Sequence, residues 1–275
     1  MLSTIGGVAA LLTGGGYLLR RRISRNWISK SAICAQQFTK DQTTIVTGGN
    51  TGLGYEAAKD FANCGGKIIL ACRDGDAGER AAVKIRQSTG NEDVDCMILD
   101  LASLDSVRKF ATEIKTRNEK IYALICNAGV WQPESGHKTK DGFEIHFGVN
   151  HLGHFALIQS LIPQMKESGM DSRIIIVSSS LAKSGKMDMQ KRDFIYDGRA
   201  LAADDKRGFA PLGYCDSKLM NMLTARELAV RLQRSNITTY AVCPGFCSSQ
   251  LGRNVNMPIY QKVLMLPLMR LMQRR

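Results

Sequence analysis

The stretch TTIVTGGNTGLGYEAAK, residues 43–59, decides the fold of this chain. Its first part, Thr43 to Thr47, is β-branched throughout and predicts a short strand. Glycines then crowd the turn from residue 48 to residue 54, and residues 55–59 have the composition of a helix opening. Glycines permit a tight turn and let backbone N–H groups approach a pyrophosphate, which the positive end of a helix favours. A strand, a glycine turn and a helix in this order therefore predict a dinucleotide-binding site.

The turn itself supplies the predicted phosphate contacts. Its spacing is Gly-x-x-x-Gly-x-Gly, which differs from the common Gly-x-Gly-x-x-Gly fingerprint, so the turn is a weak signal when taken alone. The residues assigned to cofactor binding in this turn are Gly48, Asn50, Gly52, Leu53 and Gly54.

The end of the second predicted strand bears on the choice of cofactor. An NAD enzyme usually carries an acid there for the ribose hydroxyls, whereas this chain has Arg73 followed by Asp74. The Arg73 guanidinium would pair with a 2′-phosphate through charge-assisted hydrogen bonds. We therefore predict NADP or NADPH as the cofactor. NAD is the less favoured alternative, in which Asp74 serves the ribose hydroxyls.

Short apolar or β-branched segments alternate with helical segments along the chain. They cover Thr43–Thr47, Lys67–Ala71, Val94–Leu99, Ala123–Cys126, Arg173–Ser178 and Thr238–Val242. Their spacing is too wide for hairpins, so right-handed βαβ crossovers and a parallel sheet follow. The unbroken apolar run from Ile174 to Val177 agrees with strands buried on both faces. The prediction is an α/β fold with a doubly wound, Rossmann-like parallel sheet in a single domain.

Composition excludes several classes of partner. The 275 residues are 44% hydrophobic and 23% charged, which suits a globular domain. Part of the formal net charge of +12 lies in an acid-free N-terminus, and no basic stripe with interleaved aromatics follows, so we predict no nucleic-acid partner. The eight cysteines form no Cys-x-x-Cys pair and suit reduced thiols. His146, His151 and His154 lack further ligands at metal spacing, so we predict no metal site.

The N-terminal segment has the features of a membrane anchor. Residues 1–19 carry no charge and are followed by Arg20-Arg21-Arg22. Their length is close to the roughly 20 residues that a membrane-spanning helix needs. Glycines weaken the hydrophobicity, and the acid-free stretch to Lys40 also resembles a mitochondrial presequence. We predict an anchor or targeting segment over residues 1–40, with the anchor favoured, and a globular domain over residues 41–275.

Tyr214 and Lys218 lie four residues apart in the run Gly-Tyr-Cys-Asp-Ser-Lys. On a helix they share one face. The ammonium can then stabilise the phenolate and lower a pKa that is about 10 in free tyrosine. Tyr214 would donate or accept a proton near neutral pH. Such a pair is common by chance, and the upstream glycine turn is what makes it chemically meaningful.

With these motifs the chain resembles the short-chain dehydrogenase/reductase family. The shared motifs are Thr47–Gly54, Asn127-Ala128-Gly129, Ser178-Ser179 and Tyr214-x-x-x-Lys218. Three further segments are similar to the retinol dehydrogenase branch of that family: Asp141–Glu144, Phe147–Phe155 and Tyr214-Cys215-x-Ser217-Lys218. The resemblance runs from about residue 40 to about residue 255.

The resemblance implies four catalytic residues. Tyr214 would be the general acid for carbonyl reduction, and Lys218 would lower its pKa and bind the nicotinamide ribose. Ser179 would hydrogen-bond the substrate oxygen, and a shift by one position within the triple serine stays open. Asn150 would hold a water that links Lys218 to solvent.

The resemblance also implies cofactor contacts from residues that follow the third, fourth and sixth predicted strands. They are Asp100 and Leu101, then Asn127, Ala128 and Gly129 beside the adenosine, and Pro244, Gly245 and Ser249 near the carboxamide.

After Gly245 the chain has only residues 246–275, whereas the resemblance implies a further helix and a seventh strand. We expect the sheet to lack that strand. The segment Met257–Met272 is apolar with two basic residues, so a substrate-lid helix, a membrane-surface helix and a partner contact are all open. An exposed sheet edge invites association, and a homo-oligomer is one expectation.

These features favour a membrane-associated, NADPH-dependent oxidoreductase. It would interconvert an apolar aldehyde or ketone, of retinoid, sterol or isoprenoid type, and the corresponding alcohol. One alternative is a catalytically weak, nucleotide-binding family member with a binding or regulatory role. Another is a soluble NAD-dependent dehydrogenase. The endoplasmic reticulum membrane, with the domain facing the cytosol, is favoured over the mitochondrion as the location.

Deleting residues 1–22 should release the globular part from membranes, because this deletion removes the uncharged segment and the arginines that flank it. Carbonate extraction of the full-length and shortened proteins measures the release. The mass of the mature N-terminus is the control, since a presequence would be cleaved. A cleaved product that carbonate extracts would rule out the anchor.

Overall fold

The structure, a computed structural model, describes residues 38–39, 41–131, 137–187 and 212–245. These residues belong to one compact unit, Gln37–Asn256. The predicted anchor, Ser249 and the segment Met257–Met272 lie outside the described residues. The expectations about the anchor, the tail and a seventh strand therefore stay predictions.

Six strands form one parallel sheet within the described ranges. They are β1 (Thr43–Thr47), β2 (Lys67–Cys72), β3 (Val94–Ile98), β4 (Ile121–Cys126), β5 (Ser172–Val177) and β6 (Ile237–Val242). Their order is β3-β2-β1-β4-β5-β6, and each neighbouring pair is parallel. The predicted doubly wound sheet is confirmed.

Helices cover both faces of this sheet. They are α1 (Gly52–Asn63), α2 (Gly75–Thr89), α3 (Leu104–Thr116), α4 (Gly153–Glu167) and α5 (Leu212–Arg231), with a π-helical turn over Phe147–Leu152 and a 3₁₀ turn over Ser180–Ser184. One core cluster unites α3, α4 and α5 with the sheet, and a second unites α1 and α2 with it. Within the described ranges, no helix has both the length and the hydrophobicity to cross a bilayer.

The sheet changes winding direction between β1 and β4. The chain leaves β1 toward β2 on one side and returns to β4 on the other. In doubly wound sheets a crevice opens beyond the carboxyl ends of the strands at this position, and ligands bind there. The loops that follow β1, β4 and β5 carry the glycine turn, the Asn-Ala-Gly turn and the triple serine, so the fold brings these three motifs to one edge.

Candidate active site

The glycine turn between β1 and α1 has the conformation that its residues predict. Gly48 and Gly52 have φ angles of +65° and +58°, a region that side chains rarely adopt. A Cβ atom on Gly54 would lie 2.5 Å from the carbonyl oxygen of Gly48. Glycine at position 54 therefore lets the first turn of α1 pack directly against the glycine turn, with the helix N-terminus beside it.

Asn127 and Thr47 tie the glycine turn to the loop after β4. The side-chain Nδ2 of Asn127 donates to the carbonyl oxygen of Thr47 at 2.9 Å and to that of Gly48 at 3.5 Å. The hydroxyl oxygen of Thr47 accepts from the backbone N–H groups of Asn127 and Ala128, each at 2.9 Å. A Cβ atom on Gly129 would lie 3.3 Å from Oδ1 of Asn150. The Asn-Ala-Gly turn thus lies between the glycine turn and Asn150.

Arg73 and Asp74, which follow β2, have different environments. Asp74 caps α2, because its Oδ1 accepts from the backbone N–H of Ala77 at 2.9 Å. This bond commits one oxygen of the carboxylate to the helix. The Arg73 side chain is exposed and has no ion-pair partner in the part of the chain that the structure describes.

The other predicted cofactor residues lie at the ends of β3 and β6. Asp100 accepts from the backbone N–H of Ala102 at 3.0 Å and pairs with Lys140 at 3.0 Å, and Leu101 is buried in the core. Pro244 and Gly245 follow β6 after one intervening residue, Cys243, and Gly245 has a φ angle of +74°.

Tyr214 and Lys218 lie in the first turns of α5 and are each only 4% exposed. The Lys218 Nζ lies 5.5 Å from the centroid of the Tyr214 ring and donates to the carbonyl oxygen of Val177 at 3.0 Å. Trp131 and His146 flank the same phenol ring, at centroid distances of 4.7 and 6.3 Å. The pair is therefore enclosed between the end of β5 and the loops after β4.

Burial shifts the pKa of each of these two residues in the direction that favours its neutral form. It raises the pKa of Tyr214 to about 12, although a hydrogen bond with Ser179 acts in the opposite direction. Burial also lowers the pKa of Lys218 to about 8. The expectation of a lowered Tyr214 pKa is wrong for this structure. The Lys218 ammonium bonds the Val177 carbonyl, and desolvation of the phenolate outweighs the attraction of a cation over the ring face.

The three serines after β5 have different environments. Ser178 is buried, and its hydroxyl donates to the backbone carbonyl oxygen of Lys218 at 2.7 Å. The Ser179 side chain acts to lower the pKa of Tyr214, and its Oγ accepts from the backbone N–H of Leu181 at 3.2 Å. Ser180 is exposed and begins the 3₁₀ turn. Of the three hydroxyl groups, that of Ser179 is the one that influences the pKa of Tyr214.

Asn150 is fully buried in the π-helical turn. Its side chain bonds both backbone polar groups of Val130, at 2.7 and 3.1 Å, and donates to the Ser217 hydroxyl at 3.1 Å. Its backbone carbonyl oxygen accepts from Nδ1 of His154 at 3.1 Å and from Nδ2 of Asn221 at 3.0 Å. Both lone pairs of that oxygen are thus in use. A proton-relay water would have to replace one of these partners, and that predicted role stays a prediction.

Several residues around the pair were missed by the sequence-based reasoning. Asn221 lies one helical turn after Lys218, and this spacing was the signal for it. The three histidines were considered only as metal ligands, yet His146 pairs with Glu144, His151 with Asn221, and His154 with Thr47.

Known proteins are similar to this chain in sequence and in fold. Residues 42–190 match the family model described as short chain dehydrogenase. Retinol dehydrogenase 11 of Mus musculus is 42% identical over 238 residues, which cover 86% of this chain and 71% of that protein. Retinol dehydrogenase 13 of Homo sapiens is 39% identical over 253 residues, which cover 92% and 70%. A solved structure of an uncharacterised protein from Mycobacterium paratuberculosis, 33% identical, has a TM-score of 0.62 and covers 80% of this chain and 75% of that one.

The buried ammonium of Lys218 should make the free energy of unfolding rise with pH. Its pKa is about 8 in the folded protein and about 10.4 in an unfolded chain, so the unfolded state holds more protons between these values. We expect a rise of about 2 kcal/mol from this group between pH 7.5 and pH 9.5. Urea unfolding of the wild type and of Lys218→Met, both under reducing conditions, measures it.

The comparison of the two proteins isolates Lys218 because the buried thiols titrate in both of them. The wild type should gain about 2 kcal/mol relative to Lys218→Met over this pH interval. The same pH dependence in both proteins would mean that Lys218 is charged without cost in the folded state, with a pKa close to that of an unfolded chain.

Proposed function

The chain belongs to the retinol dehydrogenase-like branch of the short-chain dehydrogenase family, and on that premise we propose that it is an NADPH-dependent reductase of an apolar aldehyde or ketone. The observation that carries the proposal is the proximity of the Ser179 side chain to Tyr214, where it acts to lower the pKa of the phenol, beside a buried Lys218. A carbonyl oxygen bound between the two hydroxyl groups would meet a hydrogen-bond donor and a proton donor at once.

The pKa of Tyr214 supports the direction of reduction. With a pKa of about 12 the phenol holds its proton at neutral pH, so it is ready to act as a general acid. NADPH, when bound, supplies the hydride to the carbonyl carbon. Tyr214 gives its proton to the carbonyl oxygen, and Ser179 orients that oxygen. Lys218, which is charged below a pH of about 8, stabilises the phenolate that remains.

Two observations after β2 support NADPH over NADH. The Arg73 guanidinium is exposed at the carboxyl end of a strand next to the glycine turn, where a 2′-phosphate would lie. Asp74 uses an oxygen to cap α2, so it is less suited to the ribose hydroxyls of NAD. Charge-assisted bonds of this kind contribute about 1.5–3 kcal/mol each.

The proposed substrate is a retinoid-like molecule, with sterol and isoprenoid carbonyls as further candidates. The names of the relatives, retinol dehydrogenase 11 and 13, support a retinoid. The Trp131 ring next to Tyr214 supports an apolar substrate, because it offers a flat aromatic surface beside the reacting group. Attachment to the endoplasmic reticulum membrane through residues 1–40, with a mitochondrial location as the alternative, belongs to the same proposal, as does a homo-oligomer.

The second candidate is a nucleotide-binding protein with weak catalysis. The backbone carbonyl oxygen of Asn150 supports this alternative, because His154 and Asn221 both bond it and a relay water would have to displace one of them. NADPH consumption with a panel of aldehydes and ketones separates the two functions. Turnover supports the reductase, and NADPH binding without turnover supports the binding protein.

Replacing Tyr214 by phenylalanine should abolish turnover and leave NADPH affinity within a few-fold of the wild type. The ring still packs against Trp131, but no proton can be delivered, and loss of a general acid typically costs about 10²-fold or more. Tyr240→Phe, at an exposed position on β6, is the matched control. If Tyr214→Phe keeps more than about a tenth of the wild-type kcat, the assigned role is wrong.

Replacing Arg73 by alanine should shift cofactor preference from NADP toward NAD. We expect the Kd for NADPH to rise roughly ten- to a hundred-fold, because one phosphate partner is lost, while the Kd for NADH changes little. Fluorescence titration with both cofactors measures the ratio. Arg80→Ala, at an exposed arginine within α2, should leave this ratio unchanged. An unchanged ratio in Arg73→Ala would mean that Arg73 is a solvated surface charge.

A further inference from the structure

We propose that His154 is a positioning residue that couples the cofactor turn to the catalytic turn around Asn150 through one fixed imidazole tautomer. The proposal rests on the function proposed above. His154 lies at the start of α4, is 2% exposed, and bonds Thr47 on one side and Asn150 on the other. It therefore stands between the strand that leads into the glycine turn and the π-helical turn that holds Asn150.

The hydrogen-bond partners of the Thr47 hydroxyl assign the role of one ring nitrogen. Two backbone N–H groups, those of Asn127 and Ala128, point at this oxygen and can only donate, so they use both of its lone pairs. The single hydroxyl proton must then go elsewhere. His154 Nε2 is at 2.8 Å, whereas the carbonyl oxygen of Ile125 is at 3.4 Å. Thr47 therefore donates to Nε2, which must be unprotonated.

The second ring nitrogen leads to the same tautomer independently. His154 Nδ1 lies 3.1 Å from the carbonyl oxygen of Asn150, and a carbonyl oxygen can only accept. Nδ1 must then carry the proton. Two unrelated partners thus require the neutral ring with Nδ1 protonated. A doubly protonated ring would direct a third donor at the Thr47 oxygen, which has no lone pair left for it.

The environment of His154 maintains this neutral form. Burial lowers the pKa of His154 to about 4; the hydrogen bond to Asn150 opposes this shift, and the positive charge of Lys218 acts in the same direction as burial. At physiological pH the ring is therefore neutral, and its two hydrogen bonds fix its orientation.

Each of the two bonds has a separate consequence for the site. The bond to Thr47 orients the hydroxyl that holds the Asn127-Ala128 turn, and Asn127 in turn bonds the carbonyl of Gly48. The bond to Asn150 helps fix a residue whose side chain reaches Ser217, and the Ser217 hydroxyl donates to the carbonyl oxygen of Tyr214 at 2.8 Å. Loss of the first bond should weaken cofactor binding, and loss of the second should misplace the catalytic helix.

Two substitutions separate these consequences, because the side-chain amide of each one can replace only one of the two ring nitrogens. In His154→Asn the amide N–H can replace Nδ1 toward Asn150, and the acceptor for Thr47 is lost. In His154→Gln the amide oxygen can replace Nε2 toward Thr47, and the donor to Asn150 is lost. We expect His154→Asn to raise the Kd for NADPH about tenfold with a smaller loss in kcat, and His154→Gln to do the reverse.

Thr47 provides the matched test of the first bond. Thr47→Val removes the hydroxyl and should raise the Kd for NADPH, and Thr47→Ser, which keeps the hydroxyl, should restore it. Adding Thr47→Val to His154→Asn should cost less than the sum of the two single changes, because both remove the same bond. His137→Asn, at an exposed histidine, is the control for the substitution itself. Circular dichroism establishes the temperature at which every variant is folded.

Nitrogen-15 NMR of the ring in the cofactor-free protein gives a result that does not depend on turnover. We expect the signals of a neutral His154 with Nδ1 protonated at pH 7, and a charged ring or one with Nε2 protonated would overturn the proposal. Variants that lower only the melting temperature, with unchanged Kd and kcat, would also overturn it. If the wild type binds NADPH but reduces no carbonyl, the proposed function fails, and the NMR signals and the NADPH affinities still decide the role of His154.

Discussion

The hydroxyl group of Thr47 joins the two central strands on which the rest of the site depends. Thr47 ends β1, and its oxygen accepts the backbone N–H groups of Asn127 and Ala128 just beyond β4. Buried N–H groups without such a partner would each cost about 1–3 kcal/mol. Asn127 returns bonds to the carbonyls of Thr47 and Gly48. The glycine turn and the Asn-Ala-Gly turn are therefore held as one unit at the point where the sheet changes direction.

Desolvation dominates the chemistry of the catalytic pair. Tyr214 and Lys218 are both almost fully buried, and burial disfavours the charged form of each. The phenol is thus a firmly protonated donor, and the ammonium is held by the carbonyl of Val177 at the end of β5. Charge on Tyr214 would arise only when it gives up its proton, and the Lys218 ammonium is then already in position over the ring. The phenol stays uncharged until the reaction itself creates charge on it, while the Lys218 ammonium is charged from the start at neutral pH.

Several parts of the fold could be predicted because they depend on local sequence. The strands appear where β-branched and apolar residues run together, and the bounds of β1 agree at both ends with the predicted Thr43–Thr47. The glycine turn could be predicted because its positive φ angles require glycine. The pKa of Tyr214 could not, because the spacing to Lys218 shows proximity but not how much solvent both groups lose. Asn221 and His154 were missed because their partners lie 71 and 107 residues away in the chain.

The amino-acid sequence by itself determined the order of strands and helices, the parallel doubly wound fold, the glycine turn and the identity of the Tyr-Lys pair. Each of these follows from the periodicity or spacing of neighbouring residues. Only the tertiary structure decided which of the three serines meets Tyr214, that Asp74 caps a helix while Arg73 stays exposed, and which atoms His154 bonds. These depend on side-chain directions and on burial, which arise when segments far apart in the chain pack together and exclude water.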